Sequence, residues 1–365
     1  MLTSDSPDIN HKNNYVYNQQ LKRSEYLLNL NIKSIIYILS IIIAMLSSST
    51  AANAEHAPVD KIEITDPPAA TIVSDDTNKY LPKVTLVLGG GGCKALTQIG
   101  VLRVLAKNQI PIHYVVGTSA GAIIGSLYAA NVPLEDIEKM VYDGSLQRTM
   151  TPHLTLHILG LPLSTLAHLG RPRPYAGVIN GSRLERFLRK RLPADFSQLK
   201  IPFAAVATDI ETGNTCMITS GDLRKAVVAS SAVPLLVRPV AIHNSIFIDG
   251  GLKANLPTNC AQLTGADIII AVPADAPVAH ENKQKFRSMK ALAYRVTDIM
   301  EAEIDKHRWE EADLVVNPKV ADTPAMTRDP EIIRRTIKYG EEAATKALPR
   351  IRELLNSKFS QTTSH

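Results

Sequence analysis

Two stretches decide the fold: Val84-Thr85-Leu86-Val87-Leu88-Gly89-Gly90-Gly91-Gly92 and Tyr114-Val115-Val116-Gly117-Thr118-Ser119-Ala120-Gly121. Each is a short β-prone run that breaks into glycines and small residues. A strand that is apolar along nearly its whole length is buried on both faces, as in a parallel sheet. After the first run, Leu96, Ile99, Val101, Leu102 and Leu105 recur at helical spacing, and a helix rich in small residues follows the second. The alternation continues outward. Short β-rich runs stand at 203–207, 246–248, 268–272 and 314–316, with helical patterns at 134–144, 182–191, 286–308 and 331–355 between and after them. Ser182 and Glu185 have the spacing of a capping box at the start of one helix. This order implies an α/β fold of three layers, α/β/α, around a mostly parallel central sheet.

The domain is read as residues 81–320, with a C-terminal helical extension at 321–365. Residues 145–180 interrupt it with Pro152, Pro162, Pro172 and Pro174 among many leucines, a lid-like insert or a buried irregular connection. Ahead of it, residues 55–80 read as a polar linker. Residues 1–54 read as a leader. Lys22, Arg23 and Lys33 precede an apolar run from Ile35 to Leu46, and the stretch ends in Ala52-Asn53-Ala54. That run is shorter than the about 20 residues of a spanning helix. Export to the periplasm, outer membrane or medium is the expectation, with an uncleaved membrane anchor as the alternative.

The 40 Lys+Arg against 35 Asp+Glu leave a formal charge of only +5 without a basic block, so no nucleic-acid partner is expected. The three cysteines, Cys93, Cys216 and Cys260, show neither a disulfide framework nor CxxC spacing. No metal and no cofactor is expected.

The chemistry concentrates in three places. Gly117-Thr118-Ser119-Ala120-Gly121 is a G-x-S-x-G between strand and helix, the context a nucleophile elbow demands. It would hold the Ser119 hydroxyl at a helix N-terminus, where developing negative charge is favoured. Gly89-Gly90-Gly91-Gly92 also lies between strand and helix. It lacks the glycine at position 94 of a dinucleotide loop and the G-K-[ST] ending of a phosphate loop, so it reads as an oxyanion hole. Asp249-Gly250-Gly251 follows a strand, where an acid can reach toward a neighbouring loop; alone, such a triplet is usually a turn.

Taken in order, glycine loop, G-x-S-x-G and D-G-G resemble the patatin-like phospholipases over about residues 83–317. Ala207-Thr208-Asp209 with Glu211-Thr212-Gly213, the run Ser230-Ser231-Ala232-Val233-Pro234, and Asn255-Leu256-Pro257 are similar to the same family. The resemblance implies a Ser–Asp dyad without histidine, an acyl-enzyme intermediate and lipid acyl esters as substrates, of phospholipase A or lysophospholipase type. By it, Ser119 is the nucleophile and Asp249 the general base, and backbone N–H groups of Gly90, Gly91 and Gly92 form the oxyanion hole. Gly89, Gly117, Gly121, Gly250 and Gly251 support the turns. Where the family commonly has arginine and glycine after the glycine run, this chain has Lys94-Ala95, which implies a less firmly held loop.

Two other functions stay open at this level. A Ser–His–Asp esterase of the α/β-hydrolase class could use His280 or His307, although both sit in polar or charged stretches. A secreted lipid-binding module on a decayed hydrolase fold would not react with a serine-directed probe. Asp209 is the reserve base, read as bracing a turn. Cys93 is read as a packing residue beside the loop. The helix carrying Arg183, Arg186, Arg189, Lys190 and Arg191 with Leu184, Phe187 and Leu188 suits either packing on the sheet or an anionic membrane surface.

Overall fold

The structure, a computed structural model, describes residues 62–64, 82–150, 179–234, 236–275, 278 and 280–362. The leader, residues 55–61 and 65–80 of the expected linker, and residues 151–178 of the insert lie outside the described residues. Nine strands are described: β1 (Ile62–Ile64), β2 (Val84–Leu88), β3 (Tyr114–Thr118), β4 (Phe203–Asp209), β5 (Thr215–Ile218), β6 (Val240–Ile242), β7 (Ser245–Asp249), β8 (Ile268–Val272) and β9 (Leu314–Val315). Nine α-helices accompany them: α1 (Thr97–Lys107), α2 (Ala120–Ala129), α3 (Leu134–Tyr142), α4 (Ser145–Thr149), α5 (Ser182–Arg189), α6 (Leu223–Ser230), α7 (Thr258–Ala261), α8 (Met289–Asp305) and α9 (Pro330–Thr362).

The sheet runs β1-β5-β4-β3-β2-β8-β9, with the β6–β7 hairpin joined to β4. The pairs β4–β3, β3–β2, β2–β8 and β8–β9 are parallel, whereas β4–β5, β4–β7 and β6–β7 are antiparallel. Alternate side chains build two cores, as a pleated sheet requires. Leu86, Leu88, Val115, Phe203 and Ile270 pack under α1, α2, α6 and α9. Val87, Val116, Val206 and Ile269 face Leu256, Cys260 and Trp309 on the other side. The architecture is the three-layer α/β/α arrangement expected. Among the described residues, no helix is long and apolar enough to cross a membrane.

Several local expectations are corrected. Ile62–Ile64 falls inside the expected polar linker, yet pairs in parallel with β5 as an edge strand. Residues 321–365 were expected as an extension. Instead α9 supplies Ile333, Ile337, Ala344 and Ile351 to the main core and lies against α1. The two helices meet backbone to backbone: a Cβ on Gly340 would fall 1.8 Å from Thr97 O, and one on Gly100 2.0 Å from Ile337 O. The capping box at Ser182 does not form. Gly181, at φ 70°, precedes the helix without a side-chain cap. The Asn180 side chain accepts from the Ser182 N–H at 3.1 Å instead, and Glu185 pairs with Arg189 at 2.7 Å. Leu184 and Leu188 of this helix are buried, and the Arg191 guanidinium lies 3.7 Å over the Phe187 ring. Its apolar face is spent on the core, the packed reading.

Candidate active site

Strand β4 brings the serine and the acid together. Along one edge it pairs with β5 from Ala205 to Thr208. Its other edge is shared. β3 occupies it through the pair Thr118↔Val206, and β7 takes over at the next position with Asp249↔Ala207. The end of β3 therefore abuts the end of β7, and the residue after Thr118 meets Asp249. The Ser119 Oγ–H donates to Asp249 Oδ2 at 2.7 Å.

Ser119 is held at φ 52° and ψ −120°. A non-glycine residue in such a conformation costs about 1–3 kcal/mol and persists only where its surroundings impose it. Those surroundings are Ser230 and Ser231. The Ser119 N–H donates to Ser230 Oγ at 3.0 Å, and the Ser230 hydroxyl donates in turn to Val206 O at 2.6 Å. The Ser231 hydroxyl lies 3.2 Å from Ser119 O. From behind, Thr118 Oγ1 donates to Ala254 O at 2.8 Å. Sequence reading flagged the run 230–234 without assigning it this bracing role.

Asp249 is 5% exposed. Its Oδ1 accepts from the Gly251 N–H at 2.8 Å. Burial pushes its carboxyl up to about 6, against the lowering pull of the Gly251 and Ser119 hydrogen bonds. A direct serine–aspartate contact leaves no place for an imidazole between them. His280 and His307 are exposed. Neither makes a described contact with Ser119 or Asp249, and the histidines of residues 151–178 lie outside the described residues. Asp209 accepts from the Glu211 and Thr212 N–H groups at 2.8 and 3.2 Å, bracing a turn as expected. Cys93 is buried against Thr327, and burial raises its thiol pKa, the opposite of an activated nucleophile.

The glycine loop passes directly over the serine. A Cβ on Gly90 would fall 3.1 Å from Ser119 Cβ and 2.4 Å from Asn255 Oδ1, so only glycine fits there. Gly89 and Gly90 commit their N–H groups to Val272 O and Asn255 O, both at 3.1 Å. This corrects the inclusion of Gly90 among the oxyanion donors. Gly91 and Gly92, at φ 147° and 58°, are the loop residues whose N–H groups have no partner among the described residues.

A cluster of acids backs this loop. Lys94 Nζ pairs with Asp298 on α8 at 2.5 Å, so the lysine anchors the loop that its departure from the family pattern was expected to loosen. Asp305 accepts from Asn255 Nδ2 at 2.9 Å and from the Leu256 N–H at 2.8 Å, fixing the residue whose carbonyl holds Gly90. Burial raises Asp275 to about 6, Asp305 to about 7 and Glu301 to about 8; Lys94 opposes the rise at Asp275 and Glu301. Sequence reading missed this cluster. Among the described residues, no group of His, Cys, Asp and Glu has the arrangement to hold a metal ion.

Residues 86–261 match the model of the patatin-like phospholipases. Over 192 residues the chain is 29% identical to an uncharacterized NTE family protein of Mycobacterium tuberculosis, covering 52% of this chain and 49% of that protein. It is 31% identical over 193 residues to patatin-like phospholipase domain-containing protein 7 of Rattus norvegicus, covering 52% of this chain and 13% of that one. The chain thus spans about half the length of the mycobacterial relative and far less of the mammalian one. Among solved structures, VipD from Legionella pneumophila aligns with a TM-score of 0.41 at 17% identity, over 76% of this chain and 67% of that one. Residues 86–261 thus form a domain of the patatin-like phospholipase type.

Proposed function

We propose that the chain hydrolyses lipid acyl esters, as a phospholipase A or lysophospholipase, with Ser119 as nucleophile and Asp249 as general base. The 2.7 Å contact between Ser119 Oγ and Asp249 Oδ2, made on a strained elbow with no intervening imidazole, carries this reading. In the first step Asp249 takes the hydroxyl proton as Ser119 Oγ bonds to the ester carbonyl carbon. The resulting oxyanion is met by the Gly91 and Gly92 N–H groups. Collapse breaks the bond to the alcohol, which leaves with the proton from Asp249, and Ser119 stays acylated. Asp249 then takes a proton from water, the hydroxide attacks the acyl carbon, and the acid departs as Ser119 regains its proton. Export through the residue 1–54 leader is part of the proposal.

The test uses a fluorophosphonate probe and phospholipid vesicles with the full chain. Wild type should label covalently and release fatty acid. Ser119→Ala should do neither, with turnover reduced on the order of 10³-fold or more. A folded wild-type protein that resists the probe would favour a lipid-binding module instead. Cell fractionation, with the mass of the mature chain, tests export.

A further inference from the structure

Helix α8 carries two unlike faces. Its inner face presents Asp298 to Lys94 and Asp305 to Asn255 and Leu256, the groups that hold the glycine loop. Its outer face presents Leu292, Val296, Ile299 and Met300, spaced i, i+4, i+7 and i+8 and exposed by 45%, 47%, 46% and 48%. Such a stripe ordinarily faces a core; here it faces solvent. The segment that leads into α8 exposes Lys283, Lys285 and Arg287, with Lys285 also 3.2 Å from Glu281.

We propose that this outer face docks the protein on an anionic lipid surface. The four apolar side chains enter the boundary between headgroups and acyl chains, and the flanking cations meet the lipid phosphates. The inference deepens the hydrolase reading and rests on it for the choice of partner. A contiguous apolar stripe led in by exposed cations suits a negatively charged lipid surface, and Glu303, the acid at the far end of that face, is paired with Lys306 at 3.7 Å. Position adds a second reason: the opposite face of the same helix holds the catalytic loop. Docking would bring the groups that hold the glycine loop to within about one helix diameter, roughly 10 Å, of the membrane. The basic helix Ser182–Arg189 cannot serve this way, because its Leu184 and Leu188 are already buried.

The test uses the full chain carrying Ser119→Ala, so that vesicles survive, and an environment-sensitive fluorophore on Ile299→Cys. Cys93, Cys216 and Cys260 are buried, which leaves the introduced thiol as the accessible one. Lys346→Cys, on an exposed position of α9, is the control. With phosphatidylglycerol/phosphatidylcholine vesicles the emission at position 299 should shift to the blue. Position 346 should not respond, and pure phosphatidylcholine should give less. An unchanged signal at 299 while the protein pellets with the vesicles overturns the proposal, since contact then lies elsewhere. In the catalytic background, Leu292→Gln, Val296→Gln, Ile299→Gln and Met300→Gln together should lower vesicle hydrolysis about tenfold or more. Turnover of a soluble short-chain ester should be unchanged. A fluorophore already in an apolar setting without lipid, or a lowered Tm in the fourfold variant, means that the chain itself or a second copy covers the face, and also overturns it. Wild-type protein that docks by this readout but hydrolyses no ester would sink the hydrolase reading and leave the docking surface supported.

Discussion

Replacing Asp249 with asparagine should abolish turnover and, at neutral pH, stabilise the fold. Burial lifts the Asp249 carboxyl from 3.8 to about 6, so ionising it in the folded protein costs more than in the unfolded chain. At about 1.36 kcal/mol per unit, the full cost is about 3 kcal/mol above pH 6. The folded state binds this proton more tightly, so stability is highest below the unfolded value and is lost as pH rises through the folded one. At about pH 4.5 only about 1 kcal/mol of the cost has appeared. Asparagine has the same shape, keeps an oxygen for the Gly251 N–H and places an N–H₂ donor on Ser119 Oγ. Any change in those hydrogen bonds is independent of pH. The diagnostic quantity is therefore the difference between the two proteins across pH, which should grow by about 2 kcal/mol from about pH 4.5 to about pH 8. Urea denaturation of both proteins at the two values measures it, and carboxylates common to both cancel. A constant difference would refute the buried-base argument, and retained hydrolysis would refute the role of Asp249.

Four further outcomes are expected. Because Asp249 must be ionised to accept the serine proton, kcat/KM should fall below about pH 6 along a single-proton limb, and a profile flat to about pH 4.5 would exclude it as base. Gly90→Ala, whose Cβ would fall 2.4 Å from Asn255 Oδ1, should lower kcat on the order of 10²-fold with little change in KM, by displacing the oxyanion donors; steady-state kinetics on a soluble ester reads this. Gly340→Ala should drive α9 off α1, given the 1.8 Å approach to Thr97 O, and cost about 1–3 kcal/mol or more in thermal unfolding. Lys94→Arg with Ala95→Gly should leave kcat equal or lower. Lys94 is already anchored on Asp298, Ala95 is buried in a helical turn, and glycine there costs about 1 kcal/mol; a clear rise in kcat would show that the loop is poorly held after all.

What the sequence reveals and conceals divides along a physical line. Strands β2, β3, β4 and β8 are legible because burial on both faces demands an apolar run. The edge strand β1 is not: three residues between polar neighbours carry too little pattern. The serine elbow is legible because its requirements are local, small residues around a sharp turn. The identity of its partner is not local. Asp249 arrives through an antiparallel pairing with β4, set about 40 residues away in the chain, where a D-G-G read alone is only a turn. Helix α8 makes the sharpest case. Its apolar residues and its acids each recur at helical spacing, so periodicity correctly announces a helix with two faces. Periodicity does not say which face turns inward. That depends on the wall it packs against, and here the wall is polar: the Lys94 ammonium, the Asn255 amide and the Leu256 N–H. Carboxylates gain more than methyl groups from such a wall, because each buried donor left unmatched would cost about 1–3 kcal/mol. The acids therefore turn inward, and Leu292, Val296, Ile299 and Met300 are left on the outside, on the face proposed here to meet a lipid surface.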